Sequence, residues 1–118
     1  MTKKHFDGKV RCPQGLLPSC LLLLLAERPG HGYELADLLR SFGFEHPDPS
    51  QVYAELHRLQ DAQLLESTVD EPEHGPARRV YQITQAGRET LERCCENLVD
   101  LSGHVQTYME RCHELKQR

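Results

Sequence analysis

The 118-residue chain has none of the spacings that carry catalysis in small enzymes. There is no G-x-S-x-G turn and no glycine-rich phosphate loop, so an enzyme is not expected. His31, His46, His74, His104 and His113 fall into no HExxH pair or Cys/His finger, and each reads as a solvent-exposed imidazole. The five cysteines form no CxxC pair or regular framework, which argues against a disulfide scaffold and fits a reducing cytoplasm. A membrane-length apolar run is also missing. The stretch at residues 16–26 follows Lys3, Lys4, Lys9 and Arg11 and so mimics an export signal, with Leu17-Pro18-Ser19-Cys20 mimicking a lipidation site. Its apolar residues follow that cysteine instead of preceding it, and it ends in Glu27-Arg28-Pro29 without a small-residue cleavage motif. It falls well short of the roughly 18 residues that cross a bilayer. The stretch predicts a buried helix, with no membrane partner.

Excess positive charge is missing too. The net charge is −4, which weighs against nucleic acid until its distribution is considered. Residues 1–11 hold four basic and one acidic side chain, whereas residues 12–65 hold three basic and seven acidic. Positive charge therefore gathers in the N-terminal arm and at Arg78-Arg79, a small but localised footprint.

What is present is a run of short elements. Residues 1–14 read as an extended arm, broken by Gly8 and Cys12-Pro13. Leu21 to Leu25 are consecutive leucines, so a helix over residues 18–27 is apolar all round and predicted to be the central buried one. A second helix over residues 32–42 has Leu35, Leu38, Leu39 and Phe42 as its inner stripe, and Gly43 ends it. The third, from Asp48 to about residue 65, opens with a capping aspartate, proline at the first helical position, and Gln51 placed to close a capping-box-like pair. Val52, Leu56 and Leu59 form its inner stripe, while Ser50, Gln51, Tyr53, Ala54, His57 and Arg58 face outward. Such a helix, with an open polar N-terminal half, suits the reading of a DNA major groove.

Beyond residue 65 the period changes. Residues 66–70 and 78–83 are β-prone around the turn-rich E-P-E-H-G-P, a two-stranded hairpin. Helix, helix, reader helix and hairpin, in that order, make a winged helix. Thr84 caps a final long helix in which Leu91, Cys94, Leu98, Leu101, Val105, Tyr108, Cys112 and Leu115 recur at spacings of three and four. That is a coiled-coil-like seam, predicting a homodimer. The expected organisation is an arm at 1–14, a winged helix-turn-helix domain at 15–84 and a dimerisation helix at 85–118. The fold class is mainly α with a small β-hairpin.

Three segments resemble the PadR-type transcriptional regulators: L-L-L-L-L-A-E-R-P-G-H-G-Y-E-L, V-Y-A-E-L-H-R-L-Q and R-R-V-Y-Q-I-T-Q-A-G. Together they span about residues 16–91, and their order is more specific than any one of them. The resemblance implies a dimeric winged-helix repressor whose C-terminal helix supplies dimer contacts. It also implies that Gly32-Tyr33 opens the second helix, that Tyr53 lies on the DNA-facing helix, and that Tyr81 and Thr84 anchor the wing. The chain departs from the pattern at Gln63-Leu64, where relatives usually carry glycine, and in a reader helix whose basic residues His57 and Arg58 stand beside Glu55 and Asp61. Some relatives bind flat aromatic drugs between tryptophans, and this chain has no tryptophan.

The residues expected to meet double-stranded DNA are Ser50, Gln51, Tyr53, His57 and Arg58 on the reader helix, Arg78 and Arg79 on the wing, and Lys3 and Lys4 on the arm. Glutamine and arginine can bond base edges in pairs, whereas lysine and wing arginine mostly find phosphate. Cys94 and Cys112, on the seam about 27 Å apart along one helix, cannot meet within a chain. In an antiparallel dimer crossing at Gly103 they would meet across subunits, with Cys95, His104 and His113 as neighbours. Cys94, Cys112 and His113 are therefore the candidates for a disulfide or a thiol-bound zinc or copper(I), against the plainer reading that the thiols are apolar filler. No other cofactor is expected. Two function classes remain: a DNA-binding repressor released by an effector, and a winged-helix protein-interaction or thiol/metal sensor module with little DNA binding.

Overall fold

The computed structural model of the chain describes residues 15–73 and 75–118, so the arm that carries Lys3 and Lys4 lies outside the described residues. The first helix, α1 (Leu16–Glu27), begins two residues before the expected start, behind Gly15 in a positive-φ conformation. Leu21, Leu22, Leu24 and Leu25 are buried on it, as are Pro18, Ser19 and Cys20. Each fully buried leucine contributes about 1.5–3 kcal/mol of apolar transfer, which makes α1 the centre of the core. Leu16 and Leu23 stay open.

The chain then forms β1 (Gly30–His31), a strand absent from the sequence reading. It pairs antiparallel with β3 (Arg78–Ile83), matching Gly30 with Tyr81 and His31 with Val80. With β2 (Leu65–Asp70) on the other side of β3, the predicted two-stranded hairpin is thus a three-stranded sheet of order β1-β3-β2. Two residues are too few to carry a period, and only the free edge of β3 makes them a strand.

Helix α2 (Gly32–Leu38) is shorter than expected and tightens into a 3₁₀ turn, Leu39–Phe42, which Gly43 ends in the left-handed region. Leu35 and Leu39 are buried as expected, but Leu38 and Phe42 are exposed. The change from 3.6 to three residues per turn breaks the single inner stripe. Helix α3 (Pro49–Asp61) is capped by Asp48, but the partner differs from the one expected. Asp48 Oδ1 accepts from the Ser50 backbone N–H at 3.0 Å and from the Ser50 hydroxyl at 2.9 Å, in place of a pair with Gln51. Val52, Leu56 and Leu59 are buried against the core.

The end of α3 is a complete Schellman motif. Leu64 N–H donates to Leu59 O at 3.0 Å and Gln63 N–H to Gln60 O at 2.9 Å, with Gln63 at φ 66°. Gln63 thus occupies the left-handed conformation that favours glycine. Strand β2 (Leu65–Asp70) follows and pairs with β3 from Leu65↔Ile83 to Asp70↔Arg78. An isolated hairpin is marginal in water. Here Leu65, Tyr81 and Ile83 join the helical core and hold it.

Thr84 ties the wing to the last helix, α4 (Gln85–Lys116). Its hydroxyl donates to Gln63 O at 2.8 Å and accepts from Gly87 N–H at 3.0 Å. Early in α4, Gly87, Thr90 and Cys94 are buried, and Leu91 packs on the core. From residue 95 onward only Leu98 and Cys112 are half-covered, and every other residue is exposed.

Candidate nucleic-acid interface

The outward face of α3 carries Ser50, Gln51, Tyr53, His57 and Arg58, all exposed. The same spacing that buries Val52, Leu56 and Leu59 turns these five toward solvent. They are not equally available. The Ser50 hydroxyl is engaged in the Asp48 cap. The Arg58 guanidinium pairs with Glu55, whose side chain is only 11% exposed while that of Arg58 is 70% exposed. The basic charge of α3 is therefore partly neutralised along its own helix.

Tyr53 is 39% exposed and its ring lies over Gly32. A Cβ at residue 32 would stand 2.3 Å from the ring, so glycine there lets α2 and α3 approach. Tyr81, by contrast, is buried at 2% exposure and anchors the wing from within. Burial pushes its phenol above the usual tyrosine value; the Arg79 charge opposes this and Tyr53 adds to it.

On the wing, Arg79 donates to the Ser67 hydroxyl at 2.9 Å, across the β2–β3 ladder. Arg78 reaches farther. Its Nη1 donates to the Tyr33 hydroxyl at 2.8 Å, and its guanidinium carbon lies 5.8 Å from the Tyr33 ring centre. Tyr33 in turn stacks on His31, with ring centres 5.6 Å apart and planes 21° apart.

His31 is not the exposed imidazole that its spacing suggested, since its side chain is 17% exposed. Its Nδ1 is 3.0 Å from Glu34 Oε1. Its Nε2 lies 3.5 Å from Asp70 Oδ2, an ion-pair distance without hydrogen-bond geometry. The His31 backbone N–H also donates to Glu34 Oε1 at 2.9 Å. That bond and then the ring contact hold the Glu34 carboxyl below its usual range. Sequence reading missed this knot because its members lie on four elements, β1, α2, β2 and β3. The one legible trace was the Gly32-Tyr33 pair.

The thiol and seam expectations fare differently. Cys94 is fully covered by its own chain at 0% exposure, so no thiol of a partner reaches it without opening the core. The cross-subunit Cys94–Cys112 meeting, and a metal held there with His113, does not fit this placement. Cys94 belongs to the packing of α4 on its own domain, and Leu91 is half-buried beside that core. Leu101, Val105, Tyr108 and Leu115 remain exposed by 46–69%. Among the described residues no three His, Cys, Asp or Glu side chains gather as metal ligands, and no helix is long and apolar enough to cross a membrane.

Two short helices before a capped, outward-facing third, followed by a wing, define a winged helix-turn-helix protein. The chain belongs to the transcriptional regulator PadR-like family, whose profile matches residues 21–93. A PadR-like transcriptional regulator of Bacillus cereus superposes with a TM-score of 0.71 at 31% identity, over 81% of this chain and 93% of that one. Bacillus subtilis PadR in complex with operator DNA superposes with a TM-score of 0.60 at 22% identity, over 66% of this chain and 45% of that one, a likeness of fold. In sequence, an uncharacterised 37.1 kDa protein of a Streptomyces fradiae transposon is 32% identical over 85 residues, 72% of this chain. The chain spans only 24% of that relative's length.

Proposed function

We propose that the chain is a DNA-binding repressor that acts as a homodimer on a pseudo-palindromic operator and is released by an effector. The observation that carries this reading is the open polar face of α3, followed by a wing with two exposed arginines. Gln51 and His57 are suited to base edges, while Arg78 and Arg79 are suited to phosphate. The operator complex of Bacillus subtilis PadR, a protein of the same fold, supports DNA as the partner. The exposed run of Leu101, Val105, Tyr108 and Leu115 supports a second copy of the chain as the other partner.

Selection from random duplexes followed by footprinting tests the proposal. Two protected half-sites about one helical turn apart are expected. Affinity should fall steeply with salt as counterions are released. A salt-insensitive protein that enriches no duplex would overturn it and leave a winged-helix protein-interaction module.

A further inference from the structure

Beyond α3, the joint between α2 and the wing sets a further donor, Tyr33, beside the wing residue Arg78. Tyr33 is 52% exposed, and its hydroxyl oxygen already accepts from Arg78 Nη1 at 2.8 Å. An oxygen engaged as an acceptor keeps its own proton to donate, and the guanidinium keeps further N–H groups. A neutral O–H and a charged N–H fork thus stand side by side at the surface. This pairing suits an anion with adjacent oxygens, of which a backbone phosphate diester is the one a duplex supplies.

The location favours DNA. The Tyr53 ring rests on Gly32, directly before Tyr33, and Tyr33 meets Arg78 of β3. Reader helix, α2 and wing thus meet at this joint, which borders the face of α3 proposed to seat a duplex. Two carboxylates close to the joint, Glu34 and Asp70, both face the His31 ring, and Asp70 is also the ladder partner of Arg78. That ring stacks on Tyr33 and limits its freedom.

We propose that Tyr33 and Arg78 act as one phosphate grip at the joint of α2 and the wing, with His31 as the positioning residue that fixes the tyrosine ring. This rests on the DNA-binding reading above and assigns a contact to a residue outside α3 and the wing. It also separates the two wing arginines. Arg78 grips together with a partner from another element, whereas Arg79 is held within the hairpin by Ser67.

The experiment measures dissociation constants of the full chain against potassium chloride concentration, on a duplex selected by the wild-type protein and on a scrambled duplex of equal length. Tyr33→Phe keeps the ring and its stacking and removes only the hydroxyl. It should weaken binding to both duplexes about tenfold, the loss of one hydrogen bond to a charged group, and leave the salt slope unchanged. Arg78→Ala should weaken both and also lower the slope by about 0.9, one phosphate neutralised fewer. The double variant should bind about as weakly as Arg78→Ala alone, because the two side chains act as a unit. His31→Gln should reproduce part of the Tyr33→Phe loss and add nothing to it in combination. Thermal melts of Tyr33→Phe should match the wild type, since the side chain is half-exposed and the ring remains. Wild-type affinity in Tyr33→Phe, fully multiplicative losses, or a changed preference between the two duplexes would overturn the grip while the DNA-binding reading stands. A wild-type chain that binds neither duplex at low salt would instead overturn that reading, and the grip with it.

Discussion

Replacing Gln63 by glycine should stabilise the protein, although it removes a side chain. Gln63 sits at φ 66°, where a β-carbon crowds the following carbonyl at a cost of about 1–2 kcal/mol. Glycine escapes that cost but loses more backbone freedom on folding, an offset of about 0.4–1 kcal/mol. The net gain should be roughly 0.5–1 kcal/mol, which for a chain of this size raises Tm by about 2–4 °C. The gain requires that nothing else change, and the contacts of this turn are of the right kind. Gln63 N–H to Gln60 O, Leu64 N–H to Leu59 O and Thr84 N–H to Leu64 O are bonds of the backbone, and Thr84 Oγ1 bonds the Gln63 carbonyl. The Gln63 side chain itself is exposed. Gln63→Ala is the control: it retains the β-carbon and should melt with the wild type. Gln63→Asn, which tolerates the left-handed region better, should fall between. Circular-dichroism melts are run at one fixed protomer concentration, because any association of chains would make Tm concentration-dependent. Glycine melting no higher than alanine would refute the argument that this turn is strained.

Three further outcomes follow from the packing. Gly87→Ala should lower stability by about 1–3 kcal/mol or more, measured by urea unfolding, because its β-carbon would stand 2.2 Å from the Leu64 carbonyl oxygen and 2.6 Å from Ile83. Val105→Asp with Tyr108→Asp should shift sedimentation from dimer to monomer while leaving helix content unchanged, since both side chains are exposed within the chain; a dimer that persists would place the interface elsewhere. In a Cys12→Ser background, a thiol reagent at neutral pH should label Cys95 quickly, and Cys20 and Cys94 only on unfolding. The Cys20 thiol is pushed up by burial, which disfavours the reactive thiolate, and Cys94 is fully covered. Labelling of Cys94 as fast as Cys95 would contradict the placement of α4.

By itself the sequence determined the elements whose causes are local. Asp48-Pro49 starts α3 and Thr84 starts α4, because a cap acts on backbone groups two or three residues away. The leucine run makes α1 central for an equally local reason: a helix apolar on every side has no face to offer water. The alternation in β3 likewise buries Tyr81 and Ile83. Tertiary structure decided whatever depends on groups distant in the chain. Two residues, Gly30 and His31, become a strand only because the edge of β3 is there to receive their hydrogen bonds. Cys94 fits the seam spacing as well as Leu101 does, yet it is buried while Leu101 is open, since the rest of the domain buries α4 only near its beginning. Periodicity reports which face of a helix is apolar and is silent on whether its own domain or a second chain covers that face. Tyr33 and Arg78 are separated by 45 residues and share no motif. Their pairing exists because β1 brings the start of α2 alongside β3, a placement set by the assembled sheet and by no local signal.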